Sequence, residues 1–453
     1  MTALFASTAL LPDGWARNVR IDILDGRIAR VTTGGEAQAG QMDCLLPAPV
    51  NLHSHAFQRA MAGMTERRGA GGQDSFWTWR DLMYRFLDRL TPEDVEAIAA
   101  FVQMEMAEAG YAAVAEFHYL HHAPGGVPYD DLAEMSARIA AAAAQTGLGL
   151  TLLPVLYERG GCDGRALGPG QQRFGNGVER FARLWADAER VLGSLPPDSR
   201  IGVAPHSLRA VSRDGLAAAA ALAPDAPLHI HLAEQLAEVA EVQAAYGARP
   251  VEWLLGNAGV DGRWCPIHCT QMLPHETLVL AATGAVAGLC PITEANLGDG
   301  IFDGARYLQA GGRFGIGSDS NIRISLTEEL RLLEYSQRLR DRGRAVLATQ
   351  ELSTGRVLLD GALRGGAQAA GRAAGAIAVG HWADLLALDL TSPDLAGREG
   401  DEILDNWIFA GDDRLVRDVW SAGRHIVTGG RHIGRPAIAA RYRAVMASLR
   451  GRM

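Results

Sequence analysis

Eight times between Val50 and Asp319 a short apolar stretch ends in polar residues and gives way to a helical one. The stretches are Val50 to His55, Ala112 to Tyr119, Leu150 to Leu156, Ile201 to His206, Leu228 to His231, Trp264 to His268, Ala285 to Cys290 and Phe314 to Asp319. Between them lie Ala-rich segments such as Pro92 to Ala109, Tyr129 to Gln145 and Asp214 to Ala223. Strands alternating with helices argue an α/β chain with parallel strands, and eight such units fit a (β/α)8 TIM-type barrel. In that architecture functional groups sit at the carboxyl ends of the strands. Here histidines and an aspartate occupy those ends.

The flanks have a different character. Val19, Ile21 and Ile23 alternate with polar residues, Asp25-Gly26 supplies a hairpin turn, and Ile28 to Val31 returns. Strand character resumes at Ala376 to Gly380, Ala383 to Asp389, Leu415 to Trp420 and His425 to Thr428. The expectation is a small β-sandwich assembled from both ends of the chain. The parts are then 1–45 and 375–435 for the sandwich, 46–374 for the barrel and 436–453 for a terminal helix.

A chain of 453 residues with 48% hydrophobic content can bury a barrel-sized core and a smaller one. No segment approaches the roughly 18 charge-free apolar residues of a membrane span, and no basic leader with an apolar run opens the chain. The expected location is therefore cytoplasmic, with no membrane partner. A net charge of −9 argues against nucleic acid. Five scattered cysteines make no disulfide framework. All 43 basic residues are arginine, so lysine chemistry is excluded: no Schiff base, no P-loop lysine, no carbamylated lysine bridging two metals.

The candidate site grows from His53-Ser54-His55 at the first strand end, where side chains two apart share a face and can converge on one ion. His231 closes the fifth strand and Glu234 follows three residues later, a spacing that can place a ligand and a proton shuttle beside one water. His229 reads as a hydrogen-bonded wall residue. His268 ends the sixth strand. Asp319 ends the eighth after small residues that permit close backbone packing, its alternative role being a helix N-cap. Two histidines from the first strand, one from the fifth and an aspartate from the eighth make a mixed N/O shell suited to Zn²⁺, with a position left for water.

These motifs, with Gly375 to Leu385, make the chain resemble the mononuclear deaminase branch of the amidohydrolase superfamily. Within it the chain looks most similar to the N-formimino-L-glutamate (formimidoylglutamate) deiminases of histidine degradation. The stretches that carry this are His53 to Met64, Phe76 to Arg80, Glu116 to Tyr119 and Pro205 to Arg209. Pro47-Ala48-Pro49 departs from the Pro-Gly often seen there.

The resemblance implies one divalent metal ion, Zn²⁺ foremost with Fe²⁺ and Mn²⁺ as alternatives, held by His53, His55, His231 and Asp319. Binuclear relatives carry their lysine on the fourth strand, where this chain has His206. The resemblance also implies Glu234, His268 and Asp319 as catalytic groups and a homodimer. A small dicarboxylate substrate calls for planar cationic donors. Arg80 and Arg209 are the candidates, helped by Gln58, Tyr119 and His206. The loop Met64 to Phe86, with Gly69, Gly71 and Gly72 beside Phe76, Trp77 and Trp79, is a candidate aromatic lid. Two other readings stay open: a deaminase of the same branch acting on guanine, a triazine or an adenosine-derived nucleoside, and a non-catalytic barrel scaffold.

Overall fold

The computed structural model describes residues 1–36, 40–66 and 76–452, with the backbone alone at 76–78. The chain opens with four strands, β1 (Thr2–Leu11), β2 (Gly14–Leu24), β3 (Arg27–Thr32) and β4 (Met42–Pro47). Asp25 and Gly26 both take left-handed backbone angles, which suits the tight turn between β2 and β3.

The barrel follows. Its strands are β5 (Val50–Ser54), β6 (Ala113–His118), β7 (Gly149–Leu156), β8 (Arg200–Ile201), β9 (Ala204–Pro205), β10 (Leu228–Leu232), β11 (Trp264–His268), β12 (Val286–Leu289) and β13 (Arg313–Ile316). All pair in parallel, β5 through β8 in one run and β10 through β13 in another. Parallel bridges close both seams: Val203 with Leu228 and Ser207 with His231 on one, Ser54 with Asp319 on the other. At the second seam the Asp319 N–H donates to the His53 carbonyl at 2.9 Å and the His55 N–H to the Asp319 carbonyl at 2.9 Å.

Three expectations for the barrel need correction. The fourth barrel strand is broken into β8 and β9, because Gly202 presses between its neighbours; a Cβ there would lie 2.4 Å from Leu153 and 2.7 Å from the Pro227 carbonyl. The eighth strand stops at Ile316 instead of reaching Asp319. A Cβ on Gly317 would meet His53 at 2.8 Å, so the chain crosses β5 too closely for a regular strand. The helix expected from Tyr129 starts at Glu134, since the Asp131 side chain accepts the Ala133 N–H and holds a turn in its place.

The end of the chain adds β14 (Leu385–Leu388), β15 (Val416–Ser421), β16 (Arg424–Thr428) and β17 (Arg431–His432). With the first four strands they form one eight-stranded sheet, in the order β17-β16-β15-β14-β4-β1-β2-β3. The sheet folds back on itself through an Arg27–Trp382 bridge and encloses Val19, Ile21, Ile23, Ile28, Leu45, Leu385 and Trp420. Strands from both chain ends thus build the β-sandwich. Ala376 to Gly380 is not strand, and a helix, Asp401–Phe409, precedes β15 unannounced by any clear pattern.

The last helix, Arg435–Arg452, lies along the helix Pro92–Glu108, where Tyr442 stacks on Phe101 at 3.9 Å. All five cysteines are buried and free. Among the described residues no helix is long and apolar enough to cross a membrane.

Candidate metal centre and active site

Three strand ends deliver one cluster. His53, His55, His231 and Asp319 are buried, and one ligand atom from each falls within 4.8 Å of all the others. His55 Nε2 lies 3.2 Å from His53 Nε2 and 3.1 Å from Asp319 Oδ1, and His53 Nε2 lies 3.4 Å from the same oxygen. Two neighbouring contacts settle which nitrogens face inward. His55 Nδ1 donates to the Phe117 carbonyl and His231 Nδ1 to the His206 carbonyl, each at 3.0 Å, so both rings turn Nε2 into the cluster. Burial lowers the His53 ring to about 3 and the His231 ring well below its usual value, which leaves both neutral and able to ligate. Lone pairs crowd at hydrogen-bond distance with few protons to share. A cation at their centre answers that arrangement, and the donor set fits a divalent metal ion.

Asp319 is held by backbone geometry and by a buried network. Its φ is +45° and that of Asn321 is +55°, positions that non-glycine residues rarely take. Asn51 donates to the Ser318 hydroxyl at 2.7 Å, Ser318 to Asn321 Oδ1 at 2.6 Å, and Asn321 Nδ2 to the Ser54 hydroxyl and the Asp319 carbonyl at 3.1 Å each. The network ties the first barrel strand to the last. The N-cap alternative for Asp319 falls away, because Ser325 caps the next helix by accepting the Glu328 N–H. Burial works against ionisation of Asp319, yet the His53 and His55 rings set against Oδ1, with the His268 ring beyond them, hold its carboxyl well below the usual range.

Glu234 stands beside the cluster, buried, with Oε1 3.8 Å from His268 Nε2 and Oε2 4.0 Å from Arg209 Nη2. Glu238, a residue the sequence left without a role, accepts the Glu234 N–H at 2.9 Å and the Ala233 N–H at 3.3 Å, which pins the left-handed Ala233. Burial raises the Glu234 carboxyl, with His268 and Arg209 opposing. His268 hydrogen-bonds through Nδ1 to Glu294 Oε1 at 3.3 Å, and Glu294 also accepts the Cys290 N–H. Burial alone would lower His268, but the Glu234, Glu294 and Asp319 carboxylates outweigh it and bring the ring up to about 10.

One pocket gathers the remaining candidates. Gln58, Arg80, Tyr119, His206 and Arg209 line it together with His55, His231, Glu234, His268 and Asp319. Trp79, Met83, Tyr84, Tyr157, Phe174 and Leu297 complete the wall, and of these only Trp79 was singled out from sequence. Gln58 Nε2 donates to the Tyr119 hydroxyl at 2.7 Å. The Arg80 guanidinium lies 5.6 Å from the Tyr84 ring centre. Arg209 is 7% exposed and makes no hydrogen bond among the described residues, so a buried guanidinium faces the pocket without a protein acceptor. Of the candidate lid, residues 67–75 and the side chains of 76–78 lie outside the described residues, and its second half is not loop but part of a helix, Phe76–Leu87. His229 is a hydrogen-bonded wall residue as expected, its Nε2 donating to the Ala369 carbonyl; His121 and His122 donate in the same way to the carbonyls of Val155 and Gly175.

With this geometry in place, the comparisons with known proteins are direct. A model of the amidohydrolase family matches residues 44–426, and one of the N-terminal domain of formimidoylglutamate deiminase HutF matches residues 1–42. The formimidoylglutamate deiminase of Pseudomonas aeruginosa is 51% identical over 455 residues, covering 99% of this chain and 100% of the relative. A crystal structure of an amidohydrolase from Brucella melitensis superposes with a TM-score of 0.95 at 50% identity, covering 99% and 100%. An adenosine deaminase from Xanthomonas campestris with bound zinc superposes with a TM-score of 0.83 at 21% identity, covering 99% and 98%, a likeness of fold alone. The chain belongs to the amidohydrolase family and, within it, to the formimidoylglutamate deiminases.

Proposed function

We propose that this protein hydrolyses N-formimino-L-glutamate to N-formyl-L-glutamate and ammonia, a step of histidine degradation, with a single zinc ion held by His53, His55, His231 and Asp319. The observation that carries the reading is the meeting, in one pocket, of that ligand cluster with Glu234 and with the buried, acceptor-seeking Arg209. A divalent ion there supplies the Lewis acidity that makes water nucleophilic near neutral pH.

The chain's own residues do the rest. Glu234 takes a proton from the attacking water as its oxygen bonds to the formimidoyl carbon and the C=N π pair moves to nitrogen, and returns it to that nitrogen; the remaining hydroxyl proton follows to the same nitrogen through Asp319 as the carbonyl forms, so that the C–N bond breaks and ammonia leaves. The raised pKa of Glu234 suits the second half of its transfer, when the carboxyl must hold a proton. Asp319 accepts a hydrogen bond from the same water. His268, kept protonated by Glu234 and Glu294, presents Nε2–H to the oxygen on which charge develops. Arg209 and Arg80 bind the two carboxylates, with Gln58, Tyr119 and His206 beside them. A cytoplasmic homodimer belongs to the same reading and rests on the family resemblance.

The test is ammonia release from N-formimino-L-glutamate, guanine and N-formyl-L-glutamate in parallel, with metal content measured on the same sample. Release from the first alone is the expected result. Metal-loaded enzyme that leaves the first untouched overturns the proposal.

A further inference from the structure

Nothing in the sequence pattern marks the loop from Tyr157 to Asn176, yet it brings Tyr157 and Phe174 into the wall of the pocket. Tyr157 directly follows β7, and its surroundings fix it firmly. The Glu158 and Arg159 N–H groups both donate to the Ala210 carbonyl, at 2.8 and 3.1 Å, which fastens the chain after Tyr157 to the chain after Arg209. The Asn176 N–H donates to the Tyr157 carbonyl at 2.9 Å, and the Tyr157 ring packs on His206 at 4.6 Å between centres. Tyr157 and Arg209 therefore enter the pocket from adjacent strand ends, 4% and 7% exposed.

The hydrogen bonding of Tyr157 is one-sided. Gln171 Oε1 accepts the Gly168 N–H at 2.8 Å, which settles the orientation of its amide and leaves Nε2 to donate to the Tyr157 hydroxyl at 2.8 Å. The phenolic oxygen is thus engaged as an acceptor. Its own hydrogen has no acceptor among the described residues, and the same holds for the Arg209 guanidinium. Native proteins rarely leave two buried donors side by side without acceptors unless a ligand supplies them. The ligand group that satisfies both is one that only accepts: an ionised carboxylate.

We propose that Tyr157 is a substrate-binding residue whose hydroxyl donates, beside Arg209, to one carboxylate of the substrate, and that Gln171 is a positioning residue that keeps this hydroxyl a donor. The proposal rests on the reading of the pocket as a dicarboxylate site. It also makes the pocket selective, because a carboxamide replaces one of the two acceptor oxygens with an N–H₂ donor and loses the negative charge that Arg209 matches.

The experiment compares wild type, Tyr157→Phe and Gln171→Leu, all zinc-loaded, in steady-state kinetics with N-formimino-L-glutamate and in calorimetric binding of glutarate, a dicarboxylate with no scissile group. Phenylalanine keeps the ring that packs on His206, and Gln171→Leu leaves the tyrosine itself intact, so the two variants disturb packing differently. The expected result is a KM and a glutarate Kd raised about 10- to 100-fold in Tyr157→Phe, with kcat within about threefold, and the same split to a smaller degree in Gln171→Leu. A wild type that turns the substrate over with Tyr157→Phe unchanged in KM and Kd overturns this proposal and leaves the function standing. A wild type without turnover whose glutarate binding is still weakened by Tyr157→Phe overturns the function and supports the donor pair. Wild type that binds no glutarate overturns the proposal as well.

Discussion

Two groups of buried charges sit at opposite ends of the barrel, and they are built on opposite plans. At the amino end, Arg372 is closed in on all sides. Its Nε and Nη2 donate to Asp384 at 2.6 and 2.9 Å, Nη2 also to Asp198 Oδ2 at 2.9 Å, and Nη1 to the Asp198 carbonyl at 2.7 Å. Asp198 further takes both Nη groups of Arg424, and Asp384 the Ala422 N–H. At the carboxyl end, Arg209 stands 4.0 Å from its nearest carboxylate, and the ligand atoms of three histidines and an aspartate crowd one another. Complete satisfaction marks the first cluster as a joint between barrel and sandwich, since burying charges is tolerable only when every lone pair and proton is matched. Incomplete satisfaction marks the second as a place that waits for a cation and an anion.

That contrast can be broken at several points. Stripping the metal with a chelator should abolish ammonia release completely and zinc should restore it, as an activity assay with metal analysis will read; activity that survives demetallation would remove the reason for the open cluster. Glu234→Gln should retain the metal and lower kcat by roughly 10²- to 10⁴-fold, the usual worth of a general acid-base group. Lost metal with retained turnover would invert the assignment.

The next two variants address the two arginines directly. Arg209→Met should raise KM about 10- to 100-fold while urea unfolding moves by no more than about 1 kcal/mol, because Arg209 makes no hydrogen bond among the described residues. Arg372→Met should do the reverse: about 3–5 kcal/mol of stability gone, since two aspartates are left buried without their partner, and kinetic constants of the folded fraction unchanged. Equal effects on stability from both would erase the distinction between a closed end and an open one. Smallest of all, Arg17→Ala breaks an ion pair with Glu399 in which both side chains are 77% exposed, and the melting temperature should stay put.

Much of the metal cluster is legible in the sequence alone, for a local reason. A period of two along a strand puts His53 and His55 on one side whatever the rest of the chain does. The glycines at 315 and 317 signalled close packing, and each has a neighbour, Leu52 and His53 respectively, where a Cβ would sit. The pocket walls were less legible. Tyr157 and Gln171 are 14 residues apart in a loop without periodicity, and their pairing depends on Gly168 turning one amide. Glu238 and Glu294 look like ordinary helix carboxylates until the backbone N–H groups and the imidazole they hold are seen.

The sequence by itself determined the strand and helix alternation, the kinds of ligand atom available and, through the lack of lysine, the chemistries that are closed to this protein. Those properties live in residue type and short-range spacing, which backbone geometry converts directly into structure. Tertiary structure alone decided that ring closure brings His53 and Asp319, 266 positions apart, to 3.4 Å. It alone decided that Arg372 would be surrounded and Arg209 left open, because whether a buried charge is matched depends on which distant strands the closed barrel sets beside it.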